Sequence, residues 1–271
     1  MKRVTAEELL KVLSRNESDY CMLMPLIEHS EMLSRVECYM SEKENEDFLC
    51  YIVNPDNSRT LDIHYEQHDP SDLIDLLSEL DERDEISDGC MVGLYKSNSL
   101  LAALSELFEL GDTELYTSFI DDGRALEDAE AHCELIVGTD GIVLEDDFTL
   151  QQGNHINVIM RVSDAHPDNY QLLFLKTDNK VVGYVVLATQ YGDLWDVAYI
   201  FVDENCRNRG FATRMCKSAQ RYLRKNGLRM FYSFCENAAS EAVARKCGLI
   251  PCAQRYIFTL QGKKDKTNAV I

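Results

Sequence analysis

The sequence predicts an α/β protein with two domains. Its 271 residues are enough for one or two domains, strand-like and helix-like segments alternate along it, and its two halves differ in charge. Residues 1–155 hold 10 Lys and Arg against 37 Asp and Glu, whereas residues 156–271 hold 17 against 10. We therefore expect an acidic α/β domain over residues 1–127 and a second domain over residues 128–271, with a boundary in an acidic, glycine-containing stretch.

Composition excludes several classes of protein. No run of about 18 apolar residues is present, so no membrane association is expected. The first residues lack the apolar core of a signal peptide, which predicts a cytoplasmic protein. The acidic half argues against nucleic-acid binding, because such binding depends on neutralising phosphates. Ten scattered cysteines form no C-x-x-C pair, so no metal site is expected.

The first half shows a succession of helix and strand patterns. Helices are predicted at Thr5–Arg15, at Ser18–Ser34, from Asp69 to about Leu80, and at Ser99–Leu110. Strands are predicted at Phe48–Val53 and Thr60–Tyr65 as a hairpin, then at Met91–Tyr95 and Leu115–Ile120. This half contains no glycine-rich turn and no paired catalytic motif, so its role is left open.

The second half has sharper patterns. Short strands are predicted at Leu135–Val137, Ile142–Leu144 and Val158–Val162, followed by a hairpin of Tyr170–Lys176 and Val181–Thr189, and then by the strands Asp196–Val202, Met230–Phe234 and Tyr256–Leu260. The clearest helix is Phe211–Lys225, where Phe211, Met215, Ala219 and Leu223 share one face and Gly227 follows the end. A further helix begins at Asn237 or Ser240 and stops at Gly248.

A buried strand, a glycine-containing turn and an amphipathic helix follow one another between Asp196 and Lys225. The turn reads Arg207-Asn208-Arg209-Gly210-Phe211-Ala212. The first N–H groups of a helix have no partner within the helix, and its dipole places partial positive charge at the same end. This arrangement predicts an anion site suited to a diphosphate.

At these residues the chain resembles the GNAT superfamily of acyl-CoA-dependent N-acyltransferases. The family pattern Arg/Gln-x-x-Gly-x-Gly/Ala matches Arg207, Gly210 and Ala212, and the downstream Asn237 and the Gly248-Leu249 pair also match. The resemblance covers about residues 156–260. It implies a mixed, splayed sheet flanked by helices, with a bulged strand before the motif. It also implies acetyl-CoA as cosubstrate and no metal.

The resemblance further implies which residues bind the cosubstrate. The pantetheine arm would hydrogen-bond to the strand backbone at Ile200–Val202, that is Ile200, Phe201 and Val202. The diphosphate would lie on the amides that follow Arg207, and Asn237 completes the motif. The cofactor-binding residues are therefore expected to be Ile200, Phe201, Val202, Arg207, Asn208, Arg209, Gly210, Phe211, Ala212, Thr213 and Asn237.

Three residues are candidates for a role in catalysis. Asp196 lies eleven residues before Arg207, where histone-type members of the family carry a base glutamate, so it is expected to help deprotonate the amine. The alternative is that Asp196 caps the strand or pairs with an arginine. Ala244 stands where many members carry the tyrosine that protonates the leaving thiolate. Tyr199 and Tyr232 are candidate substitutes for that tyrosine, although a packed strand residue is the other interpretation of each.

These features predict an N-acetyltransferase that moves an acetyl group from acetyl-CoA to a primary amine by direct attack in a ternary complex. The alternative is a catalytically idle acyl-CoA sensor, which the alanine at position 244 favours. The acceptor is expected to be a small-molecule or peptide amine, and a homodimer is compatible with the sequence. The first domain repeats part of the strand and helix order of the second, so a degenerate GNAT-like duplicate is one interpretation of it.

Overall fold

The computed structural model describes residues 1–42, 47–67, 69–84, 86–95, 97–124, 134–152 and 155–264. The chain divides into two compact units. Met1–Thr117 and Ala253–Ile271 form the first unit, and Ser118–Cys252 form the second. The predicted boundary near residue 127 lies outside the described residues, so the domain limits given above stay a prediction.

The first unit is a mixed sheet with short helices. Its helices are α1 (Ala6–Leu13), α2 (Glu17–Tyr20), α3 (Met24–Glu28), α4 (Ser71–Asp84) and α5 (Asn98–Leu107). Its strands are β1 (Lys2–Val4), β2 (Arg35–Met40), β3 (Phe48–Val53), β4 (Arg59–His64), β5 (Met91–Tyr95) and β6 (Phe108–Leu110), joined by the part of β13 (Ile250–Lys263) from Ala253 onward. The order is β1-β2-β3-β4-β5-β13, with β6 also paired to β13, and only β4–β5 is parallel among the pairs described for this unit.

Local sequence explains the elements of the first unit. Thr5 and Glu8 form a reciprocal capping box at the start of α1. Asn57 adopts a positive φ of 66° in the turn between β3 and β4, a conformation that asparagine tolerates well. Four leucines of α4 are buried at helical spacing, namely Leu73, Leu76, Leu77 and Leu80. They pack against inward-facing side chains of β3, β4 and β5 to form the core of this unit.

The second unit contains β8 (Glu134–Val137), α6 (Asp146–Gln152), α7 (His155–Ala165), β9 (Tyr170–Thr177), β10 (Lys180–Tyr191), β11 (Leu194–Val202), α8 (Phe211–Lys225), β12 (Arg229–Cys235) and α9 (Ala238–Lys246). The last residues of β7 (Glu114–Ile120) also belong to it. The sheet order is β7-β12-β11-β10-β9-β8. Neighbours from β8 to β11 are antiparallel, whereas β11 and β12 are parallel.

Helices cover both faces of this sheet. On one face, the apolar stripe of α8 contacts Val185, Leu187 and Val197. On the other face, Phe148 of α6 and Ile156 of α7 pack against Tyr184 and neighbouring side chains. Each fully buried apolar side chain contributes roughly 1.5–3 kcal/mol. These two layers therefore fix β10 and β11, which carry the candidate site.

Several predictions are confirmed. The β3–β4 and β9–β10 hairpins form as expected, with Asp178 and Asn179 in the left-handed conformation at the second turn. Helix α8 spans the predicted residues, and Gly227 ends it with a φ of 75°. The backbone N–H of Leu228 then donates to the carbonyl of Leu223, which satisfies a free C-terminal acceptor.

Other predictions are wrong. Residues 158–162 form the middle of helix α7 and not a strand, and Ile142–Leu144 is irregular. The single helix expected over Ser18–Ser34 is interrupted, with Pro25 in the first turn of α3. The helix expected over Ser99–Leu110 stops at Leu107, and its last three residues form β6. Helix α6 and the strands β1 and β2 had no sequence prediction.

None of the helices in the described ranges is both long enough and apolar enough to cross a membrane.

Candidate active site

The parallel strands β11 and β12 pair only at their beginnings. Their register covers Leu194 with Arg229, Trp195 with Met230, and Asp196 with Phe231. Beyond Asp196, β11 continues to Val202 and β12 to Cys235, but the register between them does not. Within the described part of the chain, the backbone of Ile200–Val202 therefore has a strand partner on the β10 side alone. The expected splayed strands are present.

A bulge on β11 sets which side chains share a face. Val186 of β10 lies opposite Tyr199, and the next residue, Leu187, lies opposite Val197, so Ala198 is the extra residue. Ala188 lies opposite Asp196. Because antiparallel partners project to the same side and alternate residues share a face, Asp196 and Tyr199 lie on one face of the sheet. This is the face that α6 and α7 cover.

Asp196 sits where the two strands part. Its Oδ1 atom is buried and has no hydrogen-bond partner among the described residues. Burial raises the pKa of Asp196 to about 7, and hydrogen bonding from the backbone N–H groups of Ser233 and Val197 opposes that rise. A carboxyl group with a pKa near neutrality is suited to take a proton at physiological pH. Among the described residues, no arginine forms an ion pair with Asp196, so the alternative of an arginine partner is not supported.

The turn after β11 forms the expected helix start. Asp203 accepts from the N–H of Asn205, and Asn208 and Gly210 both have positive φ, at 61° and 77°. Gly210 is the N-cap of α8 and provides no side-chain hydrogen bond to the first helical N–H groups. Those N–H groups, from Phe211 onward, remain available for an anionic ligand.

The predicted side chains around this turn have different surroundings. Arg207 donates from Nε to the carbonyl of Val202 at 3.3 Å and lies 3.4 Å from Glu204, so it braces the turn. Arg209 is exposed. Phe211 is buried against Val182 and Met215, so only its backbone faces the turn. The carbonyl of Thr213 accepts from the Cys247 thiol at 3.6 Å.

Asn237 has a defined role at the start of α9. Its Oδ1 atom accepts from the N–H groups of Ala239 at 3.1 Å and Ser240 at 3.0 Å. These bonds satisfy two of the N–H groups that a helix start leaves free. Asn237 therefore positions α9 beside the end of β12, and its binding role toward a ligand stays a prediction.

Tyr232 lies within the core of the second unit. Its side chain is 3% exposed and contacts Phe234 edge-on at 5.1 Å between ring centroids. Burial raises the pKa of Tyr232 to about 12, and a hydrogen bond with Ser240 acts against that rise. A phenol with so high a pKa is a weak acid, which disfavours Tyr232 as the donor to a thiolate. Ala244, at the usual tyrosine position, is fully buried.

An aromatic group lies on the Asp196 face. The sequence singles out one of its members, Tyr199, as a candidate proton donor, but it does not predict the group. Tyr199 is 37% exposed, stacks on Tyr184 at 5.8 Å and meets the His155 ring at 4.9 Å. Gln152 accepts from the hydroxyl of Tyr184 at 2.7 Å and from that of Tyr199 at 3.4 Å. We name Tyr184, Tyr199, His155 and Gln152 the aromatic wall. The bulge at Ala198 orients Tyr199 in this way. The family resemblance implies a bulge on this strand but not its position.

Comparison with known proteins identifies the second half of the chain. The family model described as "Acetyltransferase (GNAT) family" matches residues 141–249. These residues form a GNAT domain. The match includes Asp196, the Gly210 turn and Asn237, and the observed strand parting and helix start agree with it. No curated protein sequence matches the chain.

Solved structures share the fold over almost the whole chain. A GCN5-related N-acetyltransferase from Sphaerobacter thermophilus matches with a TM-score of 0.58, 11% identity, and coverage of 95% of this chain and 93% of that one. A GNAT-family acetyltransferase from Colwellia psychrerythraea has a TM-score of 0.52, 15% identity, and coverage of 95% and 98%. A tandem GNAT protein from the clavulanic acid biosynthesis pathway has a TM-score of 0.53 and 11% identity, with coverage of 97% of this chain and 99% of that one. At these identities the likeness concerns the fold alone, and the tandem arrangement fits two units in one chain. The general class that these findings support is an acyl-CoA-dependent acetyltransferase.

Proposed function

We propose that the GNAT domain transfers an acetyl group from acetyl-CoA to a primary amine by direct attack. The observation that carries this proposal is the place of Asp196, whose buried and unpartnered Oδ1 lies where β11 and β12 part. A base is needed there because an ammonium group must lose a proton before its nitrogen can attack.

The cosubstrate fits the residues that the fold brings together. The unpaired side of β11 at Ile200–Val202 offers backbone groups to the pantetheine amides. The uncapped N-terminus of α8 at Gly210 offers N–H groups and a positive dipole to the diphosphate. The positive φ of Gly210 allows the tight turn, and no side chain at this position blocks a close approach. Acetyl-CoA supplies the activated acyl group.

The proposed reaction needs few protein groups. Asp196 accepts a proton from the ammonium group, and the neutral amine nitrogen attacks the thioester carbonyl carbon to form a tetrahedral oxyanion. The oxyanion then collapses as the carbon–sulfur bond breaks, and the nitrogen loses its second proton to solvent. A backbone N–H of the unpaired stretch of β11 stabilises the oxyanion. The departing thiolate receives a proton. Because the pKa of Tyr232 is raised, we assign this last proton to water or to the protonated Asp196 and not to Tyr232.

The test is release of free thiol from acetyl-CoA in the presence of a mixed panel of primary amines, combined with mass detection of the amide. Thiol release that depends on amine supports the enzyme. Calorimetric binding of acetyl-CoA with no thiol release for any amine would favour the second candidate, an acyl-CoA sensor. The buried alanine at position 244, which leaves no tyrosine there to act as acid, is the observation that favours the sensor.

A further inference from the structure

We infer that the acceptor is an alkyl diamine or polyamine whose second cationic group lies against the aromatic wall, with Tyr199 as the specificity-determining residue. This inference rests on the proposed function, because it names the substrate class for that same site. Three observations carry it: the shared face of Asp196 and Tyr199, the fixed and exposed ring of Tyr199, and the charge of the segment that covers this face.

The first observation places the two groups on one side of the sheet. The bulge at Ala198 brings Tyr199 to the face that carries Asp196. The buried, unpartnered Oδ1 of Asp196 marks the position of the reacting amine. Tyr199 lies three residues further along the same strand, toward the Gly210 turn. A substrate that places its amine at Asp196 therefore extends its remainder along this face.

The second observation is that the aromatic wall is preorganised. Tyr199 stacks on the fully buried ring of Tyr184, and its hydroxyl and that of Tyr184 share the Gln152 carbonyl oxygen. His155 meets Tyr199 edge-on. The Tyr199 residue is 37% exposed, so part of this fixed aromatic group is open to solvent. Such a ring attracts a cation and packs against methylene groups with little loss of entropy.

The third observation is the negative charge of the covering segment. Residues 139–169, which contain α6 and α7, hold six acidic residues and one arginine. The acidic residues are Asp140, Glu145, Asp146, Asp147, Asp164 and Asp168. Lys180 from β10 pairs with Glu145 at 2.8 Å and neutralises one of them. The remaining excess attracts a dication and repels an acceptor that carries a carboxylate.

The experiment compares three amines of equal chain length with the full-length protein. 1,4-Diaminobutane carries a distal cation, butylamine carries none, and 4-aminobutyrate carries a carboxylate. We expect kcat/KM to fall in that order. We expect Tyr199→Leu to raise the KM for the diamine by about five- to thirtyfold, the range for loss of a cation–aromatic contact, with little change in kcat or in acetyl-CoA affinity. Tyr199→Phe should retain the preference.

Tyr222→Leu is the matched control, since Tyr222 is a partly buried tyrosine on α8, against the other face of the sheet. It should leave the order of the three amines unchanged. An equal or greater kcat/KM for butylamine or 4-aminobutyrate would overturn the inference. So would an unchanged ratio of diamine to butylamine in the Tyr199→Leu protein.

A binding measurement separates this inference from the proposed function. Calorimetry of 1,4-diaminobutane with protein saturated with coenzyme A needs no turnover. If no amine is acetylated, the proposed function fails, and binding of the diamine that Tyr199→Leu weakens would still support a cation site. Absence of diamine binding in the wild-type protein would overturn the inference whether or not another amine is acetylated.

Discussion

Asp196 lies opposite Phe231 in the last register pair before β11 and β12 part. The parallel pair of the first unit differs, because the register of β4 and β5 continues through His64 and Tyr95 at the ends of both strands. A carboxylate also lies within β4, but Asp62 is fully buried and forms an ion pair with Arg255. Among the described residues, the β4–β5 pair therefore shows neither the parting of strands found at Asp196 nor a carboxylate without an ion-pair partner.

From this difference we predict one acetyl-CoA site per chain. The helix that follows β4 also begins without a phosphate turn, because Asp69 occupies its start and accepts from the N–H of Ser71. A carboxylate at that point repels a diphosphate. Isothermal titration should give a stoichiometry near one. A value near two with similar affinities would show that the first unit also binds acetyl-CoA.

Replacing Gly210 with Glu should abolish acetyl-CoA binding. The substitution places bulk and negative charge at the N-terminus of α8. The positive φ of Gly210 also disfavours any side chain at this position. The measurement is the rise in melting temperature that acetyl-CoA causes, which follows from binding to the native state.

Gly227→Glu is the control for that variant. Gly227 has a nearly equal φ of 75° at the opposite end of the same helix, and no atom lies within 4 Å of a Cβ added at either glycine. Both variants should lose stability through the positive φ, the Gly227 variant more because its carboxylate lies at the negative end of the helix dipole. Only the Gly210 variant should lose the shift. Loss of the shift in both would mean that helix strain and not the diphosphate site is responsible.

The stability of the protein should fall as pH rises through the range in which Asp196 ionises. The unfolded carboxyl ionises near its ordinary value of 3.8, whereas in the folded chain its pKa is about 7. Between these values the native state binds more protons, so the free energy of unfolding decreases with pH. Asp196→Asn should therefore be more stable than wild type at pH 8, by at most ~4 kcal/mol, and the difference should vanish near pH 4.

Asp193→Asn is the comparison variant, because its effect on stability at pH 8 should have the opposite sign. A hydrogen bond from Arg229 lowers the pKa of Asp193, so its ionised form stabilises the native state above the unfolded pKa. Removing that charge should lower the melting temperature at pH 8. If Asp196→Asn also lowers the melting temperature at pH 8, the fold stabilises the Asp196 carboxylate. The conclusion that burial raises the pKa of Asp196 would then be wrong.

Two bidentate Asp–Arg pairs should differ sharply in their contribution to stability. Asp121 is 1% exposed and accepts from Arg224 Nε at 2.7 Å and from its Nη2. Asp193 pairs with Arg229 in the same manner, but the two side chains are 43% and 39% exposed. Breaking a buried pair leaves an uncompensated charge. We expect Asp121→Ala to cost about 3 kcal/mol and Asp193→Ala less than about 1 kcal/mol in unfolding experiments. Equal costs would contradict this ranking.

The parts of the fold that the sequence predicts are those set by local pattern. Helix α8 has a long apolar stripe and a glycine end, and the two hairpins have asparagine-containing turns, so propensity and packing agree. Residues 158–162 mislead because their β-branched side chains favour a strand. In the structure Ile156, Ile159 and Met160 face the core at helical spacing, so packing overrides that preference.

The candidate site is predictable from the sequence only in part. The Gly210 turn and Asp196 are found from motif and spacing, since both depend on residues close in sequence. The aromatic wall is not predictable, because the extra residue at Ala198 decides which face Tyr199 occupies. The family resemblance implies a bulge on this strand, but the sequence does not give its position. The raised pKa of Asp196 depends on burial that arises only in the folded sheet, where β10 and β12 flank this residue of β11.

The most direct test of proton removal by Asp196 is the pH dependence of turnover for wild type and Asp196→Asn, with saturating acetyl-CoA and an amine that is acetylated. For the wild-type protein we predict a rate that rises with pH and levels off above a pKa near 7, as the carboxyl ionises. The variant should lack this inflection, turn over about 10²–10⁴-fold more slowly at pH 7, and approach the wild-type rate as free amine becomes abundant. Unchanged turnover at pH 7, or the same inflection in both proteins, would contradict a role for Asp196 as the base.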